Sequence, residues 1–93
     1  MRSFGIPLAL LCCGLFTACG REPQSAACGQ FVGCVRALDA QDGRRTNTLR
    51  FEENGGCWGG PAGAKLCTDA CVRGLEVARR EATAPAACAA VAP

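Results

Sequence analysis

The residues with most chemistry to offer are nine cysteines, at positions 12, 13, 19, 28, 34, 57, 67, 71 and 88. A thiol can be acylated, oxidised to a disulfide, bound to a metal or used in redox exchange, and spacing and compartment decide which. Histidine is absent, so His-based triads and His-ligated metals are excluded. No P-loop, Gly-x-Ser-x-Gly or zincin motif occurs. Glu52-Glu53 offers two carboxylates, but adjacent residues point apart on either secondary structure, and a solvated turn accounts for them. Cys67-x-x-x-Cys71 could be half of a zinc site, completed by Cys57 and Cys34 as a four-thiolate cage. The usual two-residue spacing is missing, and an oxidising compartment would compete for the thiols. The same spacing, without a βαβ pattern around it, tells against a dithiol oxidoreductase. No catalytic residue, metal ligand or cofactor is assigned.

The compartment therefore decides among these fates. Met1-Arg2-Ser3 is a short positive start, and Phe4 to Phe16 is an apolar run of export-signal length, too short to span a bilayer. Leu15-Phe16-Thr17-Ala18-Cys19-Gly20 follows. Cleavage after Ala18 by an ordinary signal peptidase would put the bulky Phe16 at −3. Thr17-Ala18-Cys19 looks instead like a bacterial lipobox, with Phe16 where leucine is usual, and Cys19 would become the lipidated first residue. Parity agrees: Cys12 and Cys13 leave with the signal, and Cys28, Cys34, Cys57, Cys67, Cys71 and Cys88 remain as an even set for three bridges. The rival Ser25-Ala26-Ala27-Cys28 lies past the apolar run and would leave an odd thiol. Diacylglyceryl plus an amide-linked chain would anchor firmly, each buried methylene contributing about 0.8 kcal/mol.

The expected organisation is a signal peptide over 1–18, lipidated Cys19 with a flexible tether over 19–25, and a disulfide-rich helical domain over 26–93. Gly20, in place of the aspartate that often marks inner-membrane retention, favours the outer membrane or its periplasmic face. Secretion without a lipid is the alternative. Of the formal charge of +2, one unit is Arg2 in the signal. The remainder is nearly neutral with both signs interspersed, and carries no basic stripe for nucleic acid.

About seventy residues make a core near the lower limit of self-sufficiency, so the cysteines must be positioned to staple it. Ser25 can cap a first helix whose Cys28, Phe31, Val32, Val35 and Leu38 share a face, with Cys34 at its border. Gly29 and Gly33 weaken that helix, and Asp42-Gly43 signals its turn. The stretch 46–56 carries mixed signals, alternation at Leu49 and Phe51 against a capped helical start and Asn54-Gly55-Gly56. A lone strand would lack a partner, so a helical turn or irregular structure is expected. Trp58 reads as a core plug beside a disulfide rather than a ligand platform.

The strongest period runs from Pro61 to about Ala82, with Cys67, Ala70, Cys71, Gly74, Leu75 and Ala78 on one face. Asp69–Arg73 and Glu76–Arg80 stand at favourable i,i+4 spacing. Thr83-Ala84-Pro85 stops the helix before Cys88. The expected fold is all-α: a small disulfide-stapled helical hairpin with a short third helical or irregular segment. Six cysteines admit fifteen pairings, and the sequence does not choose among them. An antiparallel hairpin would suggest Cys28–Cys88, Cys34–Cys71 and a local Cys57–Cys67.

From Cys28 onward the chain resembles a group of small cysteine-rich lipoproteins abundant in myxobacteria. The resemblance rests on Cys28, Gln30-Phe31-Val32-Gly33-Cys34, Gly55-Gly56-Cys57-Trp58, Cys67-Thr68-Asp69-Ala70-Cys71 with Leu75, and Pro85 before Cys88. The Gly-Gly-Cys-Trp element and the Cys-x-x-x-Cys helix are its most specific parts, and Phe31 departs from the Tyr such sequences often carry. It implies the address and the fold, and no reaction. The expected role is a non-enzymatic envelope lipoprotein, structural or binding an envelope protein or polymer. The alternatives are a small periplasmic metal-binding or thiol-redox protein, and a secreted effector or inhibitor.

Overall fold

The computed structural model describes residues 21–89, and among these all regular structure is helical. Helix α1 spans Ala26–Asp42 and helix α2 spans Pro61–Arg79. Single 3-10 turns lie at Leu49–Phe51, Gly56–Gly59 and Ala86–Cys88. The all-α, disulfide-stapled class is as expected, and the ambiguous middle is a helical turn.

The helix ends follow local chemistry. The Ser25 hydroxyl accepts the Cys28 N–H at 3.2 Å, satisfying one orphan donor of the first turn of α1. Gly43 ends the helix in the left-handed conformation, φ 69°, and returns its N–H to the Asp39 carbonyl. Pro61 opens α2, where a missing N–H costs nothing. The helix stops at Arg79, short of the expected Ala82, because Arg80 and Glu81 bond back to Val77 and Ala78 in tighter turns before Pro85.

The two helices run in the same sense. Their beginnings meet in one buried cluster, where Cys28, Cys57, Trp58, Cys67 and Cys71 are packed by Ala27, Phe31, Phe51 and Ala64. Farther along both helices, Cys34, Leu75, Ala78 and Cys88 form a second cluster with Phe31 and Leu38. Residues 43–60 do not reverse at the tip of α1. They carry the chain back to its start before α2 begins.

This path corrects the pairing suggested by an antiparallel hairpin. The bridges are Cys28–Cys71, Cys34–Cys88 and Cys57–Cys67, with Cα separations of 5.1, 4.6 and 5.9 Å, all within the ordinary range. Cys57–Cys67 is as expected. The other two are exchanged because Cys28 faces the middle of α2, while the tail after Pro85 returns alongside α1 to reach Cys34.

Gly74 fits the helix–helix contact. A Cβ there would come within 2.4 Å of the Phe31 ring, so the bare backbone seats the aromatic. The expected pairs from Asp69 to Arg73 and from Glu76 to Arg80 are not among the ion pairs of the described residues. Asp69 instead meets Lys65 at 3.5 Å, both side chains at least half exposed, a contact that contributes little.

Candidate functional site: the cysteine framework and the Trp58 end

Cys19 and the signal segment lie outside the described residues. The six cysteines that follow are all consumed in bridges: Cys28, Cys34, Cys71 and Cys88 are fully buried and Cys57 and Cys67 nearly so. The four thiolates that a zinc cage would need are divided among all three bridges. Among the described residues no group of three or more His, Cys, Asp or Glu side chains is placed to hold a metal.

Trp58 organises the end where both helices start. Its indole is 0% exposed, and its Nε1–H donates to the Glu52 carbonyl at 2.8 Å, the same oxygen that accepts the Gly55 N–H at 2.8 Å. A buried indole N–H requires such a partner. Gly55 is fixed by this arrangement, since a Cβ on it would lie 2.2 Å from the Leu49 carbonyl oxygen and 2.4 Å from that of Arg50. Phe51 meets Phe31 edge to face at 5.5 Å between ring centres. Trp58 is thus the core plug expected of it.

Glu52 is the residue that the sequence concealed. Its carboxylate accepts the buried Thr48 hydroxyl at 2.7 Å and pairs with Arg36 at 3.1 Å. It is a fastening between α1 and the returning segment, and Glu53 beside it is exposed. Neither an acid–base pair nor a nucleophile is assembled there. The adjoining open concavity, about 560 Å³, is lined by Leu49, Arg50, Glu52–Gly56. Arg50 lies over the Phe51 ring at 5.2 Å and reaches the Cys67 sulfur at 3.9 Å.

The segment expected as a flexible tether is partly built into the domain. The Glu22 N–H donates to the Trp58 carbonyl at 2.8 Å, the Gln24 side-chain amide to the Phe51 carbonyl at 2.9 Å, and the Arg21 guanidinium to the Gly55 carbonyl at 3.3 Å. Residues 21–24 therefore lie along the Trp58 turn. Their polar composition resembles a linker, but the partners are backbone carbonyls, which no side-chain pattern advertises.

At the other end, Asp39 holds the loop after α1. Its carboxylate accepts the Thr46 N–H at 2.6 Å and the Thr46 hydroxyl at 2.8 Å. The backbone bond from Thr46 lowers its pKa most; desolvation opposes this, and the Thr46 hydroxyl and the Arg44 charge reinforce the lowering.

Three bridges place the folded domain in an oxidising, extracytoplasmic environment. No helix among the described residues is long and apolar enough to cross a membrane. No protein-family model, curated protein or solved structure matches the chain.

Proposed function

We propose that the protein is a lipid-anchored, non-enzymatic module of the bacterial envelope, attached through Cys19 and working as a structural or binding element at the outer membrane or its periplasmic face. The observation that carries this reading is the closed thiol account. Every cysteine from Cys28 onward is bonded to another, so the domain offers no thiol to Cys19. Thr17-Ala18-Cys19 after an apolar run supplies a different chemistry for that sulfur, thioether formation with a diacylglyceryl group. The engaged carboxylate of Glu52 and the buried Trp58 favour a scaffold over a reaction centre. The resemblance to small cysteine-rich myxobacterial lipoproteins agrees with the same address.

The test is the intact mass of the mature protein from its native host, before and after reduction and alkylation. The expected species begins at Cys19, carries acyl chains and gains six alkyl groups only after reduction. An unacylated mature chain would move the protein to the secreted class. Thiols that alkylate without reduction, or a metal retained in a native spectrum, would put the metal or redox alternative first.

A further inference from the structure

We propose that the domain does not swing on a tether but rests on the bilayer, with the end formed by Gly55–Ala62 and Arg21 seated against lipid headgroups. This inference rests on the acylation of Cys19 proposed above. Because Arg21, Glu22 and Gln24 are bonded to the carbonyls of Gly55, Trp58 and Phe51, the stretch between Cys19 and the domain is far shorter than residues 19–25. Cys19, Gly20 and Arg21 precede Glu22, the first residue held by its backbone. At about 3.6 Å per extended residue, chain connectivity keeps the Cys19 Cα within about 11 Å of that of Glu22. An acyl-bearing cysteine at the membrane surface must bring this end of the domain with it.

The surface so presented suits contact with headgroups. Residues 54–64 contain no ionisable side chain, and Gly56, Gly59, Pro61 and Ala62 are exposed. Close approach there strips water from no charge, the step that would be costly. Arg21 and Lys65, both exposed, border this surface and can meet lipid phosphates, Lys65 by exchanging its weak 3.5 Å contact with Asp69 for a headgroup, while the exposed Glu53 before the run stays in water. The shared direction of the helices matters here, since it gathers both helix starts, the Trp58 turn and the anchor at one end. The opposite end carries Asp42, Arg44, Arg45, Arg80 and Glu81, all exposed, and faces away from the membrane.

The experiment compares backbone hydrogen exchange in the acylated protein, reconstituted in phosphatidylethanolamine–phosphatidylglycerol vesicles, with a lipid-free chain starting at Gly20 and mixed with the same vesicles. Amides of residues 55–60 and 62 are expected to exchange at least threefold more slowly in the acylated protein, with no change at 42–46. Inserting ten Gly/Ser residues between Gly20 and Arg21 should restore the lipid-free rates. An unacylated mass in the same sample overturns the lipoprotein reading and this proposal with it. An acylated protein that exchanges like the lipid-free chain overturns the docking alone. So does protection that survives the insertion, or protection that disappears when the protein is diluted in lipid, which would assign the contact to a second copy.

Discussion

The two ends of this small molecule are held in different ways. At the Trp58 end two bridges, Cys28–Cys71 and Cys57–Cys67, enter one cluster around a fully buried indole. At the far end a single bridge, Cys34–Cys88, joins Leu75 and Ala78. There the turn Ala86–Cys88 is further held through the carbonyls of Cys88, bonded by Arg79 at 2.7 Å, and Ala89, bonded by Gln30. In the first case covalent links reinforce a packed core. In the second the covalent link supplies most of the reason for the tail to be there. A chain this short cannot build two full cores, so it packs one and ties the other.

The largest effect should come from removing the plug. Trp58→Ala deletes a large buried side chain and abandons the hydrogen bond at the Glu52 carbonyl, and is expected to cost about 4 kcal/mol. Urea unfolding with the bridges intact would measure it. A loss below about 1 kcal/mol would mean that the two bridges, not the packing, hold the Trp58 end. Next comes the far end. Cys34→Ala with Cys88→Ala opens a closure between residues 54 apart in sequence and is expected to cost about 3 kcal/mol. Its signature is locality: the amides of Ala84, Cys88 and Ala89 should lose protection while those near Trp58 keep theirs. Uniform loss across the domain would erase the distinction between the ends.

What could be read in advance follows the same division between local and distant causes. Ser25, Gly43 and Pro61 act within a turn of themselves, so both ends of α1 and the start of α2 were legible, while the end of α2 fell short of the expected Ala82. Cys57 and Cys67 are separated by 10 residues, and their pairing was legible too. The direction of α2 was not, because it depends on the return of residues 43–60, whose fastenings are carbonyls of Phe51, Glu52, Gly55 and Trp58. Once that direction is wrong, Cys28 and Cys34 exchange partners. Cys34 appeared only at the border of the apolar stripe of α1 because it points to the tail, which has no periodic pattern of its own. The Arg21–Gln24 segment misled for a related reason: hydrophilic composition reports solvation, not whether backbone acceptors stand nearby.

The smallest effect tests the far end from the side of its loop. The Asp39 carboxylate titrates below its ordinary value because the folded loop delivers the Thr46 N–H and hydroxyl to it. A group with a depressed folded pKa contributes stability that is present above its unfolded pKa, about 3.9 for aspartate, and that is lost as pH falls through the folded value. Acidification should therefore release residues 44–46 first, seen as faster exchange at the Thr46 amide relative to amides near Trp58, whose cluster contains no titrating side chain. Asp39→Asn should speed Thr46 exchange several-fold at neutral pH and remove the acid dependence of its protection relative to the amides near Trp58, leaving global unfolding almost unchanged because the site is at the surface. If the substitution instead loosened Cys34 and Cys88, the loop and the tail would form one cooperative unit, and the far end would owe its order to more than its single bridge.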